Sequence, residues 1–112
     1  MDAVKLSSLE VSRLILGGNP FSGFSHQSPD DDRRMRRYYT VARIKETLRH
    51  AESLGITTLI ARADNHIVRL LEEYWDEGGS IGWIAQTCPE RGNEPPQVGP
   101  AIAAGAKAVF VH

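Results

Sequence analysis

Arg62, Asp64, Asn65 and His66 lie within five consecutive positions and combine a guanidinium, a carboxylate and an imidazole. A carboxylate and an imidazole two residues apart can exchange protons with a substrate, or ligate a metal when both sit in a loop. His112, and with it His26, would complete a divalent metal site made of Asp64, His66 and His112. An arginine directly after an apolar run needs an anionic partner, either on a substrate or on a side chain such as Asp64 or Glu90. Gln86, at an equivalent place, offers a ligand contact or a hydrogen bond to loop backbone. Each residue has a structural alternative. Asp64 can cap a helix that leaves His66 exposed in its first turn, and His50 faces solvent on another helix.

A repeat of strands and helices is the frame that would carry these groups. Residues 13–18, 57–61, 81–86 and 108–112 are short apolar runs bounded by glycine, proline or polar residues. Runs of that length, rich in β-branched and aromatic residues, predict buried parallel strands. Ser28-Pro29-Asp30-Asp31-Asp32 predicts a helix start, with Ser28 as cap, Pro29 in the first turn and the acids at the positive dipole end. Asp30 is expected to pair with Arg34, and Asp32 with Arg36. Val41, Ile44, Leu48, Ala51 and Leu54 predict a second helix, starting near Thr40 and closed by Gly55. Ile67, Leu70, Leu71 and Tyr74 predict the buried face of a third, begun by Asp64 or Asn65 and ended by Gly78-Gly79. After a turn-rich segment over 89–96, a short helix over 98–104 is expected to turn Val98, Ala101 and Ile102 inward.

Four such units make the N-terminal half of a (β/α)8 barrel, a fold of about 250 residues. A small open α/β sheet is the alternative. Residues 1–112 then form one partial barrel domain, with a loop-helix insertion around 19–39. A parallel sheet ending on an apolar strand leaves a face and an edge uncovered, so the chain is expected to self-associate or to pair with a missing C-terminal half. In parallel barrels the C-terminal strand ends surround the active site. That rim collects Asn19, Ser22, Ser25 and His26, then Arg62, Asp64, Asn65 and His66, then Gln86, Thr87, Cys88 and Glu90, and finally His112. Asp64, His66 and His112 are the catalytic candidates; Asn19, His26, Arg62, Gln86 and Glu90 are the substrate-binding ones.

The segment Val4-Lys5-Leu6-Ser7-Ser8-Leu9-Glu10-Val11-Ser12-Arg13-Leu14-Ile15-Leu16-Gly17-Gly18 resembles the opening of the aldo-keto reductases, where a short hairpin precedes a VSRLGLG-like first barrel strand. Ala51-Glu52-Ser53-Leu54-Gly55-Ile56-Thr57-Thr58 is similar to that family's approach to strand two. The resemblance implies an NADP-linked oxidoreductase that reduces carbonyls with Asp, Tyr, Lys and His. Here Ile60 stands at the Asp position, Asn65 near the Tyr and Thr87 at the Lys, while His112 corresponds to the His. Losing the Tyr removes the usual proton donor. The patterns GGNPFSGFSH, AR-D-H and WIAQT are closer to an uncharacterised aldo-keto-reductase-like group, and much of the family's nicotinamide grip lies in a C-terminal half.

Composition narrows the function classes. The chain has 112 residues, 13 basic and 14 acidic side chains and a formal net charge of -1, which argues against a general nucleic-acid binder. Three aspartates cancel most of the field of the Arg33–Arg37 run, and the G-x-G-x-x-G spacing of a dinucleotide loop is absent. Trp75, Trp83, Tyr38 and Tyr39 read as packing between helix and sheet. Cys88 stands alone, which fits a reducing, cytoplasmic setting. No apolar run is long enough for a membrane span. Three functions follow as expectations: an aldo-keto-reductase-like oxidoreductase acting on a small molecule, a metal-assisted lyase, isomerase or hydrolase, and a non-catalytic assembly subunit.

Overall fold

The computed structural model describes residues 1–87 and 98–111. A hairpin comes first, in which β1 (Ala3–Leu6) and β2 (Leu9–Ser12) pair antiparallel around Ser7 and Ser8. Then follow β3 (Leu16–Gly17), α1 (Asn19–Ser22), α2 (Pro29–Tyr38), α3 (Val41–Ser53) and β4 (Thr58–Arg62). The remaining elements are α4 (Asn65–Asp76), β5 (Gly82–Thr87), α5 (Val98–Ala103) and β6 (Ala108–Val111). The fold is mixed α/β, with a four-stranded parallel sheet in the order β3-β4-β5-β6. That order runs in sequence, without the reversal that marks a doubly wound sheet.

Register sorts the sheet into two faces, because neighbouring residues along a strand point to opposite sides. Leu16, Leu59 and Trp83 share one row, and Ala61, Ala85 and Val109 another. These rows meet Ile44, Leu48 and Ala51 of α3 and Ile67, Leu70, Leu71 and Tyr74 of α4 in a single core. The opposite face carries Gly17, Ile60, Ile84 and Ala108 in one row and Arg62, Gln86 and Phe110 in the next. Phe110 is half exposed there.

Buried polar groups set the spacing between layers. Tyr74 is fully buried, and its hydroxyl donates to Glu52 of α3 while accepting from the backbone of Ile81 at 3.0 Å and Ser80 at 3.2 Å. The end of α4 is thereby tied to α3 and to the start of β5. At the N-terminal end of the sheet, Ser12 N donates to Thr57 Oγ1 at 2.9 Å and Thr57 N returns a bond to Ser12 Oγ at 3.0 Å. The hairpin is anchored there, away from the strands' carboxyl ends.

Most expected elements form, with informative departures. Three strands fall within a residue of expectation, but the first is cut from 13–18 to two residues. Arg13 N bonds to Asp2 O at 2.9 Å, and the Ser12 hydroxyl donates to Leu14 O at 2.6 Å, so 13–15 finish the hairpin rather than start the sheet. In α2, Ser28 caps as expected, accepting from Asp31 N at 3.1 Å, but the ion pairs are Asp30–Arg33 and Asp31–Arg34, one residue closer than expected. Asp32 instead turns back to Ser25, accepting from its backbone at 2.8 Å and its hydroxyl at 2.7 Å. Val41, Leu54 and Ile102 are exposed, while Ala101 takes the buried place on α5. Tyr38 is exposed too, set edge-on to Tyr39 and beneath the Arg43 guanidinium rather than between helix and sheet. Among the described residues no helix is long and apolar enough to cross a membrane.

Gly18 sits where β3 hands the chain to α1, and a Cβ there would lie 2.6 Å from Ala61 Cβ. Its amide also donates to Ile60 O at 2.8 Å. Gly18→Ala is expected to cost about 1–3 kcal/mol in urea unfolding, the usual penalty of overpacking. Gly17→Ala, with nothing within 4 Å of the new Cβ, should be neutral or slightly stabilising. Equal midpoints for the two variants would refute the close approach.

Candidate active site

Parallel pairing sends the carboxyl ends of β3, β4 and β5 to the same rim. From β3 the chain enters α1, a single turn that buries Phe21 in the core and closes at Gly23, whose φ of 75° is left-handed. Ser22 lines the rim beside the end of β4. From β4 the chain leaves through Arg62 and Ala63, and Ala63 N donates to Gln86 O at 3.0 Å, so the exit loop stays pinned to β5. Asp64 then occupies the N-cap position of α4 in an extended conformation.

The Asp64 carboxylate does not cap. No cap hydrogen bond forms. One oxygen faces Arg62 Nε at 3.3 Å and the other faces His66 Nε2 at 3.7 Å. Ser22 also bonds to this carboxylate, and its Oγ lies 3.1 Å from His66 Nε2. Burial raises the Asp64 pKa, but the His66 hydrogen bond, the Arg62 charge and the Ser22 hydroxyl outweigh it and hold the group below its ordinary value.

Ser22, Asp64 and His66 are therefore not a nucleophilic triad. Such a triad places serine on one ring nitrogen and the carboxylate on the other, whereas both groups here approach Nε2. The arrangement suits proton transfer instead. The imidazole borders the Asp64 carboxylate, and His66 is exposed enough to meet a solute.

These groups open into a cleft of about 370 Å³. Ser22, Arg62, Asp64 and His66 line it together with the rings of Phe21, Phe24 and Tyr39 and the side chain of Arg36. The Arg62 guanidinium lies 4.4 Å from the Phe24 ring centroid, a cation–π contact that fixes its plane while Asp64 holds its Nε.

Of the expected site residues, Arg62, Asp64 and His66 are brought together. Asn19 and His26 are not part of the cleft; Asn19 Nδ2 and His26 Nε2 lie 3.2 Å apart, and their contact ties off the loop after α1, with His26 at φ 59°. Gln86 stands beside Arg62 in the sheet register but does not line the cleft. Glu90, Cys88 and His112 lie outside the described residues, as does the 89–96 turn segment. Sequence reading assigned no role to Phe24, gave Arg36 a pairing with Asp32 and Tyr39 a packing place between helix and sheet, and placed Ser22 on the rim without a role. Only folding joins Ser22 to His66, and the expected Asp32–Arg36 pair hid Arg36 from notice.

Of the expected metal ligands Asp64, His66 and His112, only Asp64 and His66 fall among the described residues. Among the described residues no group of three or more His, Cys, Asp or Glu could hold an ion. The Arg62 guanidinium sets a positive charge 3.3 Å from one Asp64 oxygen, against a cation at the same carboxylate. The turn through Gly17, Gly18 and Asn19 runs into Pro20, which has no amide to give a phosphate. Compared with known proteins, the chain matches no family model, no curated protein and no solved structure.

The lowered Asp64 pKa has a pH consequence. In the folded chain Asp64 binds its proton less readily than in the unfolded chain, so its contribution is complete above about 3.8 and is lost as pH falls through the folded value. Asp64→Asn is expected to cost about 1–2 kcal/mol at pH 7. The difference from the parent should shrink on acidification below pH 4, while Asp32, whose pKa the Ser25 bonds also lower, keeps a slope in both proteins. Urea titrations from pH 7 to pH 2 test this, and a pH-independent difference would refute it.

Proposed function

We propose that this chain is the N-terminal half of a (β/α)8-type barrel and carries an acid–base site for a small-molecule substrate. Sequential strand order and the packing of α3 and α4 on one sheet face support the barrel reading, since a closed barrel has its helices outside. On this reading Ile60, Ile84, Arg62, Gln86 and Phe110 face the barrel interior, and the β6 edge meets a complementary half or a second copy. A reducing cytoplasmic setting, with neither nucleic acid nor membrane as partner, belongs to the same proposal.

The observation that carries the chemistry is His66 Nε2 at 3.1 Å from Ser22 Oγ and 3.7 Å from Asp64 Oδ2, inside a cleft at the strands' carboxyl ends. His66 takes or gives a proton, Asp64 faces its Nε2, and Arg62 orients Asp64. Proton transfer next to a carbonyl, as in an isomerase or lyase, is the reaction class these groups serve without a metal.

The resemblance to aldo-keto reductases supports a second reading, NADP-linked carbonyl reduction. The Arg13–Gly18 segment favours it; Ile60, Asn65 and Thr87 in place of the catalytic Asp, Tyr and Lys weigh against it. The turn after β3, interrupted by Pro20, also gives the phosphates of a dinucleotide no run of amides to rest on.

Deuterium exchange next to the carbonyl of small ketones and 2-oxo acids, followed by proton NMR in D2O, tests the first reading. The chain is expected to accelerate exchange over buffer, and His66→Asn to lower the rate about 100-fold or more. No acceleration with any compound would defeat it. A saturable NADPH fluorescence change below millimolar cofactor would instead favour the reductase.

A further inference from the structure

Arg36 is an exposed arginine on the last turn of α2, in the inserted segment between β3 and α3. Its helix neighbours Arg33 and Arg34 are paired with Asp30 and Asp31. Asp32, the carboxylate one turn before Arg36, is turned to Ser25 and acts on Arg36 only through its field. Among the described residues no carboxylate lies within ion-pair distance of the Arg36 guanidinium. Yet the side chain is positioned. It runs across Gly23, where an added Cβ would come within 2.5 Å of Arg36 Cγ and 2.9 Å of Nη1. The missing side chain at Gly23 is what lets Arg36 lie along the cleft wall.

Charge in the cleft is unbalanced. Arg36 and Arg62 bring two positive charges against the single carboxylate of Asp64, and His66 adds a third when protonated. Arg62 gives its Nε to Asp64 and lies against the Phe24 ring, while Arg36 has its whole fork to offer. The remaining wall is aromatic, with Phe21 and Tyr39 edge to face at 5.0 Å. A volume of about 370 Å³ holds roughly a dozen waters at about 30 Å³ each, or a ligand of about that many non-hydrogen atoms.

We infer that the cleft selects a small anionic substrate, its carboxylate or phosphate held by the Arg36 fork and its apolar body against Phe21 and Tyr39. The inference rests on the acid–base reading of the same cleft and adds the substrate class to it. A planar guanidinium offers paired donors that match either anion. The inserted segment thus supplies specificity, while β4 and α4 supply the proton-transfer groups.

Calorimetric titration with phenylpyruvate, phenyl phosphate and the neutral ketone phenylacetone tests it. Both or one of the anions should bind, at least tenfold more tightly than the ketone, and the stronger of the two identifies the head group. Arg36→Gln should weaken anion binding about tenfold or more, the loss of a charged hydrogen bond. Arg37→Gln, an equal change in net charge outside the cleft, should stay within twofold. His66→Asn should lower proton exchange about 100-fold or more while leaving anion binding in place, which separates this inference from the reaction proposed above. Equal binding of ketone and anions, equal effects of the two arginine variants, or no binding of either anion would each overturn it.

Discussion

Parallel pairing is the constraint from which the rest of the structure follows. A parallel strand cannot return to its neighbour through a tight turn, so each strand needs a crossover that carries the chain back along the sheet. In this chain those crossovers include α3 and α4, whose apolar stripes cover the rows Leu59–Trp83 and Ala61–Ala85. The same geometry aligns the carboxyl ends of β3, β4 and β5 at one rim. A serine after the first of these strands and a histidine after the second, 44 positions apart in sequence, thereby come within 3.1 Å.

Asp64 shows how tertiary contacts override a local preference. Its position before α4 is where a carboxylate usually accepts from exposed helix amides, worth about 1 kcal/mol. Three partners compete for it: a guanidinium, an imidazole and a hydroxyl. The cap is given up, and α4 begins without side-chain help. Its start depends instead on Ile67 and Leu70, both nearly inaccessible in the core. A helix end left uncapped in favour of a charged cluster is a local inconsistency that only tertiary contacts explain.

The two sheet faces differ in how they are covered. One is packed with helix side chains, and Trp83 and Tyr74 at its centre satisfy their polar atoms on backbone and Glu52. The other presents Ile60, Ile84, Ala108 and a half-exposed Phe110, with Arg62 and Gln86 toward the rim. The row of Arg62, Gln86 and Phe110 at the carboxyl ends is thus more polar than the row of Gly17, Ile60, Ile84 and Ala108 below it.

Hydrophobic spacing was enough to locate α3, α4 and three of the parallel strands, because burying a stripe at helical period or a short β-branched run is a local property of the chain. Capping chemistry likewise located the start of α2 at Ser28 and its acids in the first turn. Arg62, Asp64 and His66 were legible as a cluster because they are neighbours in sequence and stand at a strand end. The sequence could not decide whether Asp64 would cap a helix or join a cleft, since both uses place it at the same position and only Arg62 and Ser22 in three dimensions separate them. Nor could it bring in Arg36, whose expected partner was drawn away by Ser25, or dismiss Asn19 and His26, which satisfy one another. Those outcomes are set by distances between segments far apart along the chain, and such distances exist only once the sheet and its helices have packed.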